Sequence, residues 1–176
     1  MHKYSKFIKE FEEKMYDFSE EFSNIVFVCI GTNKVIGDAI GPTVGNNLKN
    51  IENDYIKVYG TMSNTMNFVN SKDIIEEIYR KYDNPYLITI DSALSNIKEK
   101  GDIVLGKGYI KIGNALDKSI CFFSNVNIKC IVGRNLKDGI KNMEELHKMK
   151  IFDIINSSNI ISLGIKNVLE KLEICV

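Results

Sequence analysis

The chain has 176 residues, the size of one ordinary domain with a substantial hydrophobic core. Apolar residues make up 44% of the sequence, a share that argues against a disordered chain. The 23 lysines and arginines balance the 23 aspartates and glutamates, and the lysines are scattered. The sequence therefore lacks the basic patch by which proteins bind nucleic acid, and we expect no nucleic-acid partner.

The cysteines and the apolar segments bear on where the protein works. Cys29, Cys121, Cys130 and Cys175 are widely spaced and form no C-x-x-C pair, which argues against disulfides and a zinc site. Three of them lie in apolar runs, so we expect buried free thiols in a reducing cytoplasm. The charged N-terminus lacks the apolar stretch of a signal peptide, and no apolar run approaches the roughly 18 residues of a membrane span. We therefore expect a cytoplasmic protein without a membrane partner.

Residues 3–22 have the pattern of an amphipathic helix. Their apolar side chains recur at helical spacing, with charged residues between them. The pattern favours a helix docked on the rest of the domain. A removable pro-segment or a partner-binding arm, covering residues 1–23, is the alternative.

Residues 25–90 alternate between strand and helix patterns. Strands are predicted at residues 25–30, 55–60 and 86–90, and helices at residues 42–50 and 71–83. Pro42 suits a first helical turn, and Ser71 suits an N-cap. The β-α-β-α-β order predicts right-handed crossovers and a parallel sheet. The first strand is apolar on both faces, so we expect it to be central.

The pattern changes after Asp91, but no linker or repeat marks a domain boundary. We predict a strand or hairpin at 102–112, a loop at 113–118, a strand at 128–133, a helix from about Asp138 and a last helix at 158–172. The whole of residues 1–176 is therefore predicted to form a single domain. Its class is α/β, a three-layer α/β/α sandwich with a mostly parallel sheet.

Two aspartates are the candidate catalytic residues. Asp38 follows the first strand in a glycine-rich loop, and Asp91 follows the third. In a parallel sheet both would emerge at the edge where such folds build their sites. A close pair of carboxyl groups can share one proton, so that one acts as general base and the other as general acid. The alternatives are a turn or helix-cap role for Asp38 and a strand-end cap role for Asp91.

The environments of the two aspartates suggest which one holds the proton. Asp38 precedes a helix N-terminus, whose dipole favours a carboxylate. Asp91 emerges from an apolar strand, and desolvation there should raise its pKa. We therefore expect Asp38 to be the base and Asp91 the acid.

Polar and glycine residues near these aspartates are candidates for substrate binding, because loop N–H groups can hold an anion or a peptide carbonyl. They are Gly31, Thr32, Asn33, Gly37, Gly41, Asn67 and Ser92. The sequence contains no dinucleotide-binding fingerprint, no P-loop and no G-x-S-x-G nucleophile elbow. With His2 and His147 as the only histidines, a cysteine–histidine pair is poorly supported.

Four segments together carry a family resemblance. They are residues 29–33 (CIGTN), 37–45 (GDAIGPTVG), 58–61 (VYGT) followed by Asn67, and 90–94 (IDSAL). In this order they resemble the YyaC-type sporulation proteins of spore-forming Firmicutes. That family is similar to the germination protease, which degrades small acid-soluble spore proteins, and to the hydrogenase maturation proteases. The resemblance covers about residues 24–135 and implies a phosphorylase/hydrolase-like α/β fold.

The resemblance implies an aspartate-dependent peptidase. Asp38 and Asp91 occupy segments similar to those that carry the two catalytic aspartates of the germination protease. The substrate would be a peptide or small spore protein, in the cytoplasm of a sporulating cell or spore, and an assembly of several copies is compatible with the sequence. The main alternative is a non-catalytic relative that binds a peptide or protein partner during sporulation. A weaker one is a small-molecule hydrolase on a nucleoside-phosphorylase-like scaffold.

The sequence also departs from the hydrogenase maturation proteases, which bind nickel through two acids and a later histidine. No histidine occurs between His2 and His147. We therefore expect no metal site and no cofactor. The family's glycine- and proline-rich loop is represented only by Gly108 and residues 113–115, without the proline, and residues 134–176 match poorly.

Overall fold

The computed structural model describes residues 2–19, 21–112 and 120–174. In chain order the elements are α1 (His2–Met15), β1 (Ile25–Cys29), α2 (Ile40–Leu48), β2 (Ile56–Tyr59), α3 (Ser71–Lys81), β3 (Tyr86–Leu94), β4 (Ile103–Ile112), β5 (Ile120–Gly133), α4 (Gly139–His147) and α5 (Ile151–Lys171). Two 3₁₀ turns, Ile36–Asp38 and Lys49–Ile51, lie on either side of α2.

The five strands form one sheet in the order β2-β1-β3-β5-β4. β1 pairs in parallel with β2 and with β3, β3 pairs in parallel with β5, and β4 lies antiparallel to β5 at one edge. The α/β class and the parallel first three strands are therefore confirmed. β1 is an interior strand, in keeping with its two apolar faces, although β3 holds the middle position.

Helices cover both faces of the sheet and create two hydrophobic clusters. The larger cluster joins α1, α2 and α5 to the face that carries Phe27 and Ile88. The smaller cluster joins α3 to the opposite face, which carries Val28 and Leu87. The side chains alternate between the two clusters along β1 and β3, as the pleat of a strand requires. The result is a three-layer sandwich.

The N-terminal helix contributes to the larger cluster. Phe7, Phe11 and Met15 are buried in it. α1 ends at Met15 instead of continuing to residue 22, because the aromatic rings that follow it pack on the sheet. The ring centroids of Phe18 and Phe22 lie 5.4 and 4.8 Å from that of Tyr86. α1 is thus docked on the domain, and removal of residues 1–23 stays a prediction.

Three other boundaries differ from the predicted ones. β3 continues to Leu94 because the second half of β5 pairs with it there, and β5 begins at Ile120 because its first residues pair with β4. α5 begins at Ile151, seven residues early. Ile151, Phe152 and Ile155 in its first turns are exposed and only Ile154 is buried, so the apolar residues there do not follow the spacing of a single buried face.

The predicted N-cap of α3 is wrong by one residue. Ser71 is the first helical residue, and its hydroxyl donates to the carbonyl of Phe68. Asn70 holds the cap position without a side-chain cap bond. At α4, by contrast, Asp138 caps the helix by accepting from the N–H of Lys141. The loop predicted at 113–118 lies outside the described residues.

The described cysteines are free thiols. Cys29 and Cys130 are buried, and burial raises the pKa of both, that of Cys130 to about 11. Cys121 is exposed, which its apolar neighbours did not suggest. Cys175 lies outside the described residues. Among the helices that the structure describes, none has the length and hydropathy needed to cross a membrane.

Candidate functional site

Asp38 is held at the carboxyl end of β1 by a tight turn of backbone. The chain leaves β1 through Gly31, whose φ of 144° is one that side chains rarely adopt. A Cβ at this position would collide with the carbonyl oxygen of Asp38. That oxygen accepts from the N–H of Thr32 at 3.1 Å, while the N–H of Gly31 donates to the carbonyl of Met66 at 2.9 Å. The turn therefore fixes the backbone of Asp38 beside the end of the strand.

Asp91 lies inside β3 and not after it, contrary to the prediction. β3 continues for three residues beyond Asp91, to Leu94, because β5 pairs with it along this stretch. The Asp91 side chain is therefore positioned by a strand, which is more rigid than a loop. It is half-buried at the level where β1 ends, since Ile90 pairs with Cys29, the last residue of β1.

Ser92 connects the two aspartates. Its hydroxyl donates to Oδ1 of Asp38 at 3.1 Å, and its backbone N–H donates to Oδ1 of Asp91 at 2.8 Å. One residue thus bonds to both carboxyl groups, one from the turn after β1 and one from within β3. The structure therefore places Asp38, Asp91 and Ser92 together at the carboxyl edge of the parallel sheet.

Burial raises the pKa of both carboxyl groups, and repulsion from Asp38 raises that of Asp91 further. Burial is the main cause for Asp38, whose pKa rises to about 6 although the Ser92 hydroxyl and the Thr32 backbone stabilise its charged form. Burial again comes first for Asp91, and the negative charge of Asp38 adds to it, so that its pKa rises to about 7. The pair therefore holds one proton near neutral pH, and Asp91 has the higher affinity for it.

Lys129 is a charged neighbour that sequence analysis missed. It is the Cα partner of Asp91 across β3 and β5, and its ammonium group lowers the pKa of Asp91. Strand β5 was predicted in part, but the register of two strands far apart in sequence is set by tertiary packing. No local pattern in the sequence could have paired Lys129 with Asp91.

Polar side chains also connect β3 to β5 below Asp91. The Thr89 hydroxyl donates to Oδ1 of Asn127 at 2.8 Å, and the Ser124 hydroxyl reaches Thr89 at 3.3 Å and the carbonyl of Leu87 at 3.1 Å. Thr89, Ser124 and Asn127 are buried, and each has a hydrogen-bond partner. A satisfied buried network of this kind makes a strand pair rigid, which helps to fix the position of Asp91.

The predicted glycines of the first loop allow close packing. Gly37 is buried against the backbone of Leu146 in α4, and Gly41 against the backbone of Ile30. A Cβ on Gly41 would collide with the carbonyl oxygen of Ile30. These contacts explain the glycines by the fold alone, and their binding of substrate stays a prediction.

The polar residues predicted to bind substrate differ in exposure and in their hydrogen bonds within the chain. Asn33 is exposed and its side-chain amide donates to the carbonyl of Met62 at 2.9 Å. Thr32 is half-buried, and its hydroxyl accepts from the N–H of Lys34 at 3.2 Å. The amide oxygen of Asn67 accepts from the N–H of Val69 at 3.0 Å, within its own loop. Among these, Thr32 is joined to the aspartates by its backbone bond to Asp38.

Nothing in the described part of the chain assembles three or more histidine, cysteine, aspartate or glutamate side chains around a place for a metal ion. His147 is exposed at the end of α4, and its Nδ1 lies 2.8 Å from the carbonyl oxygen of Met143. The donors at the site are thus the oxygens of Asp38 and Asp91. The absence of a tightly bound metal stays a prediction.

Comparison with known proteins places the chain in a family. Residues 1–164 match the family described as "Protein of unknown function (DUF1256)". The chain belongs to this family. It is 33% identical over 141 residues to the uncharacterized protein YyaC of Bacillus subtilis (strain 168). The aligned region covers 80% of this chain and 67% of YyaC. The resemblance to YyaC-type proteins is thereby confirmed.

A solved structure supports the fold of this DUF1256 protein. The crystal structure of a [NiFe] hydrogenase maturation protease, HycI from Thermococcus kodakarensis KOD1, superposes with a TM-score of 0.58 over 92% of this chain and 99% of HycI. The sequences are 17% identical, so the comparison shows the fold alone. The predicted likeness to the hydrogenase maturation protease fold is confirmed.

Proposed function

We propose that this protein is an aspartate-dependent peptidase of the germination-protease type. The observation that carries the proposal is the bridge made by Ser92, which holds Asp38 and Asp91 at one place on the carboxyl edge of the sheet. Two carboxyl groups with raised and unequal pKa values can divide the work of general base and general acid. The fold shared with a maturation protease is compatible with this chemistry.

In this mechanism the charged Asp38 takes a proton from a water molecule as the water oxygen attacks the carbonyl carbon of the scissile peptide bond. Asp91 then gives its proton to the leaving nitrogen as the carbon–nitrogen bond breaks. The pair begins and ends with one proton, which returns from Asp38 to Asp91 after the products leave. The bond from Ser92 keeps Asp38 oriented throughout.

The proposed setting is the cytoplasm of a sporulating cell or spore, and the proposed substrate is a peptide segment of a small spore protein. This part of the proposal is supported by the resemblance to YyaC-type sporulation proteins and by membership of the same family as a Bacillus subtilis protein. The absence of a membrane-spanning helix among the described residues is compatible with it.

The test is an assay of peptide-bond cleavage on small acid-soluble spore proteins, followed by mass spectrometry of the products. We expect cleavage by the wild-type chain and at least about 100-fold slower cleavage by Asp38→Asn and Asp91→Asn, since general acid–base groups contribute roughly 10²–10⁴ in rate. Asp83→Asn, at an exposed aspartate after α3, is the matched control and should cleave at the wild-type rate.

The two variants should differ in their dependence on pH. Asparagine at position 91 can donate a hydrogen bond but cannot release a proton, so the residual activity of Asp91→Asn should no longer fall at high pH. Full activity in either variant would remove that residue from the mechanism. Binding of the spore proteins without cleavage would favour the non-catalytic alternative.

A further inference from the structure

Strand β3 is longer than its neighbour β1, and the extra length lies beside the aspartates. β1 ends at Cys29, which pairs with Ile90, and the N–H of Ile30 makes the last bond to the carbonyl of Ile90 at 2.7 Å. β3 continues from Asp91 to Leu94. At about 3.3 Å per residue, these four residues form an overhang about 13 Å long.

Among the residues that the structure describes, the overhang has a partner strand on one side, β5. Even-numbered residues of β3 bond towards β1, as the N–H of Tyr86 does to Asn24, and odd-numbered residues bond towards β5, as the N–H of Ser95 does to Gly133. Asp91 and Ala93 therefore pair with β5, and the pairing continues to Leu94 after a shift of register between Ala93 and Leu94. Ser92 and Leu94 turn their backbone groups to the side that β1 no longer occupies.

The backbone groups on this side have few bonds within the chain. The N–H of Ser92 donates to the carboxylate of Asp91. The carbonyl of Ser92 and both backbone groups of Leu94 have no hydrogen-bond partner among the described residues. Residues 91–94 are half-buried, so water reaches the overhang. Unpaired strand edges of this kind are templates for another strand.

Side chains in the described part of the chain cover the edge of β2 more completely than this one. The Asn53 side chain accepts from the N–H of Ile56, and the Asn53 N–H donates to the carbonyl of Ile56. Oε1 of Glu52 accepts from the N–H of Val58 at 2.9 Å. These side chains occupy backbone groups that would otherwise attract a foreign strand. On the free side of the overhang, the cover from described residues is limited to the Asp91 carboxylate on the N–H of Ser92.

We propose that the overhang of β3 is the substrate-binding edge, on which a peptide binds in extended conformation as an added strand in line with β1. The occupant is a peptide because the free groups are a backbone carbonyl and a backbone N–H of alternate strand residues, which bond to the backbone of an added strand. Its backbone would bond to the carbonyl of Ser92 and the N–H of Leu94. The inference deepens the proposed function, on which it rests.

This mode of binding brings a peptide bond to the aspartates. An added strand lies about 4.8 Å from its neighbour, so its backbone passes directly beside Ser92. Ser92 is the residue whose hydroxyl holds Asp38 and whose N–H holds Asp91. Recognition through backbone groups also allows many sequences to bind, with side chains setting the preference.

Hydrogen exchange of the Asp91→Asn chain tests the proposal without requiring cleavage. The probe is a peptide selected on this variant from a phage-displayed library of short random peptides. We expect the peptide to slow exchange of the Leu94 amide by at least about tenfold, since a new backbone hydrogen bond protects it. The Val58 amide, already held by Glu52, should not change.

Changes to the peptide and to Leu94 test which backbone groups form the hydrogen bonds. N-methylation along the peptide should weaken binding about tenfold or more at every second residue and little in between, because alternate residues of an added strand face β3. Leu94→Pro removes the N–H on the free side, where proline is compatible with a strand edge. Leu94→Ala loses the same side chain but keeps the N–H. Its affinity for the peptide should therefore be at least about tenfold higher than that of Leu94→Pro. Thermal unfolding shows whether both variants fold.

The outcomes separate this inference from the proposed function. Three results would each overturn the binding mode. They are a library selection that yields no binding peptide, a peptide that protects other amides, and N-methylation effects without a two-residue period. If the wild-type chain cleaves spore proteins but the bound peptide leaves the Leu94 amide unprotected, the binding mode is wrong and the proposed peptidase activity is supported. Protection of Leu94 without any cleavage by the wild-type chain would support the edge and contradict the peptidase.

Discussion

Replacing Asp91 by asparagine should make the folded protein more stable at high pH while abolishing its proposed activity. The pKa of this carboxyl group rises from 3.8 to about 7 on folding, first because of burial and then because of the charge of Asp38. Asparagine has nearly the same shape, carries no charge, and keeps an oxygen that accepts from the N–H of Ser92. The substitution therefore removes the cost of a buried charge and little else.

The sign and size of the effect follow from proton linkage. Since the folded chain binds the proton of Asp91 more tightly than the unfolded chain, this group favours folding below about pH 4, and that contribution is lost as the pH rises through about 7. The shift corresponds to about 4 kcal/mol if the surroundings are rigid. Because the side chain is only half-buried and its surroundings relax, we expect Asp91→Asn to be about 1–3 kcal/mol more stable than the wild type at pH 8.

Urea unfolding from pH 4 to pH 8 measures this difference, with far-ultraviolet circular dichroism and the fluorescence of the 8 tyrosines as probes. The difference in unfolding free energy should be within about 0.5 kcal/mol at pH 4 and should grow towards pH 8. Asp83→Asn, a change of the same type at an exposed position, should follow the wild-type curve. If the stability of Asp91→Asn changes with pH as that of the wild type does, or is lower than that of the wild type at pH 8, the buried charge of Asp91 does not destabilise the fold.

Four other expectations follow from the same structure. Cleavage should have a narrow pH optimum, falling below about 6 as Asp38 gains a proton and above about 7 as Asp91 loses one; a flat profile across this range contradicts the pair. Removal of residues 1–23 should lower the free energy of unfolding by about 5 kcal/mol or more, since α1 carries three large buried side chains; a truncated chain of unchanged stability in urea would show a removable segment. Gly41→Ala should cost about 1–3 kcal/mol, because its Cβ meets backbone, whereas Gly139→Ala has open space and should cost nothing; equal stabilities by thermal unfolding would contradict the packing role. Elemental analysis of the purified protein should find no stoichiometric metal, since two carboxylates without histidine or cysteine suit transition metals poorly; one bound nickel or zinc per chain would overturn this expectation.

The sequence predicted those parts of the molecule that local patterns determine. The runs around Phe27 and Ile88 are short, apolar and β-branched, so they identified two parallel strands, and the positions of Asp38 and Asp91 followed from them. The residues after Asp91 have no such pattern, and β3 continues through them because β5 pairs with it. The partner of Asp91 on β5, Lys129, was likewise unpredictable, since register depends on contacts distant in sequence.

The end of the first helix is another feature that local sequence patterns could not predict. Phe18 and Phe22 continue the helical spacing of α1, but in the structure they pack against the ring of Tyr86. Helical spacing records which residues are apolar and not which partner will bury them. A tertiary contact of this kind overrides a local preference whenever it buries more surface.

A purely structural role for the two aspartates fits the site poorly. An aspartate that caps α2 would accept N–H bonds from its first turn, and such bonds would lower its pKa. The cap residue of α2 is Ala39, which makes no side-chain cap bond, and the pKa of Asp38 is raised. Nor does Asp91 cap the end of β3, because the strand continues past it. Both groups cost stability at neutral pH, and a neutral side chain would serve the fold better at either position. Two destabilising carboxyl groups that both bond to Ser92, beside an unpaired strand edge, are what the proposed chemistry on a bound peptide requires.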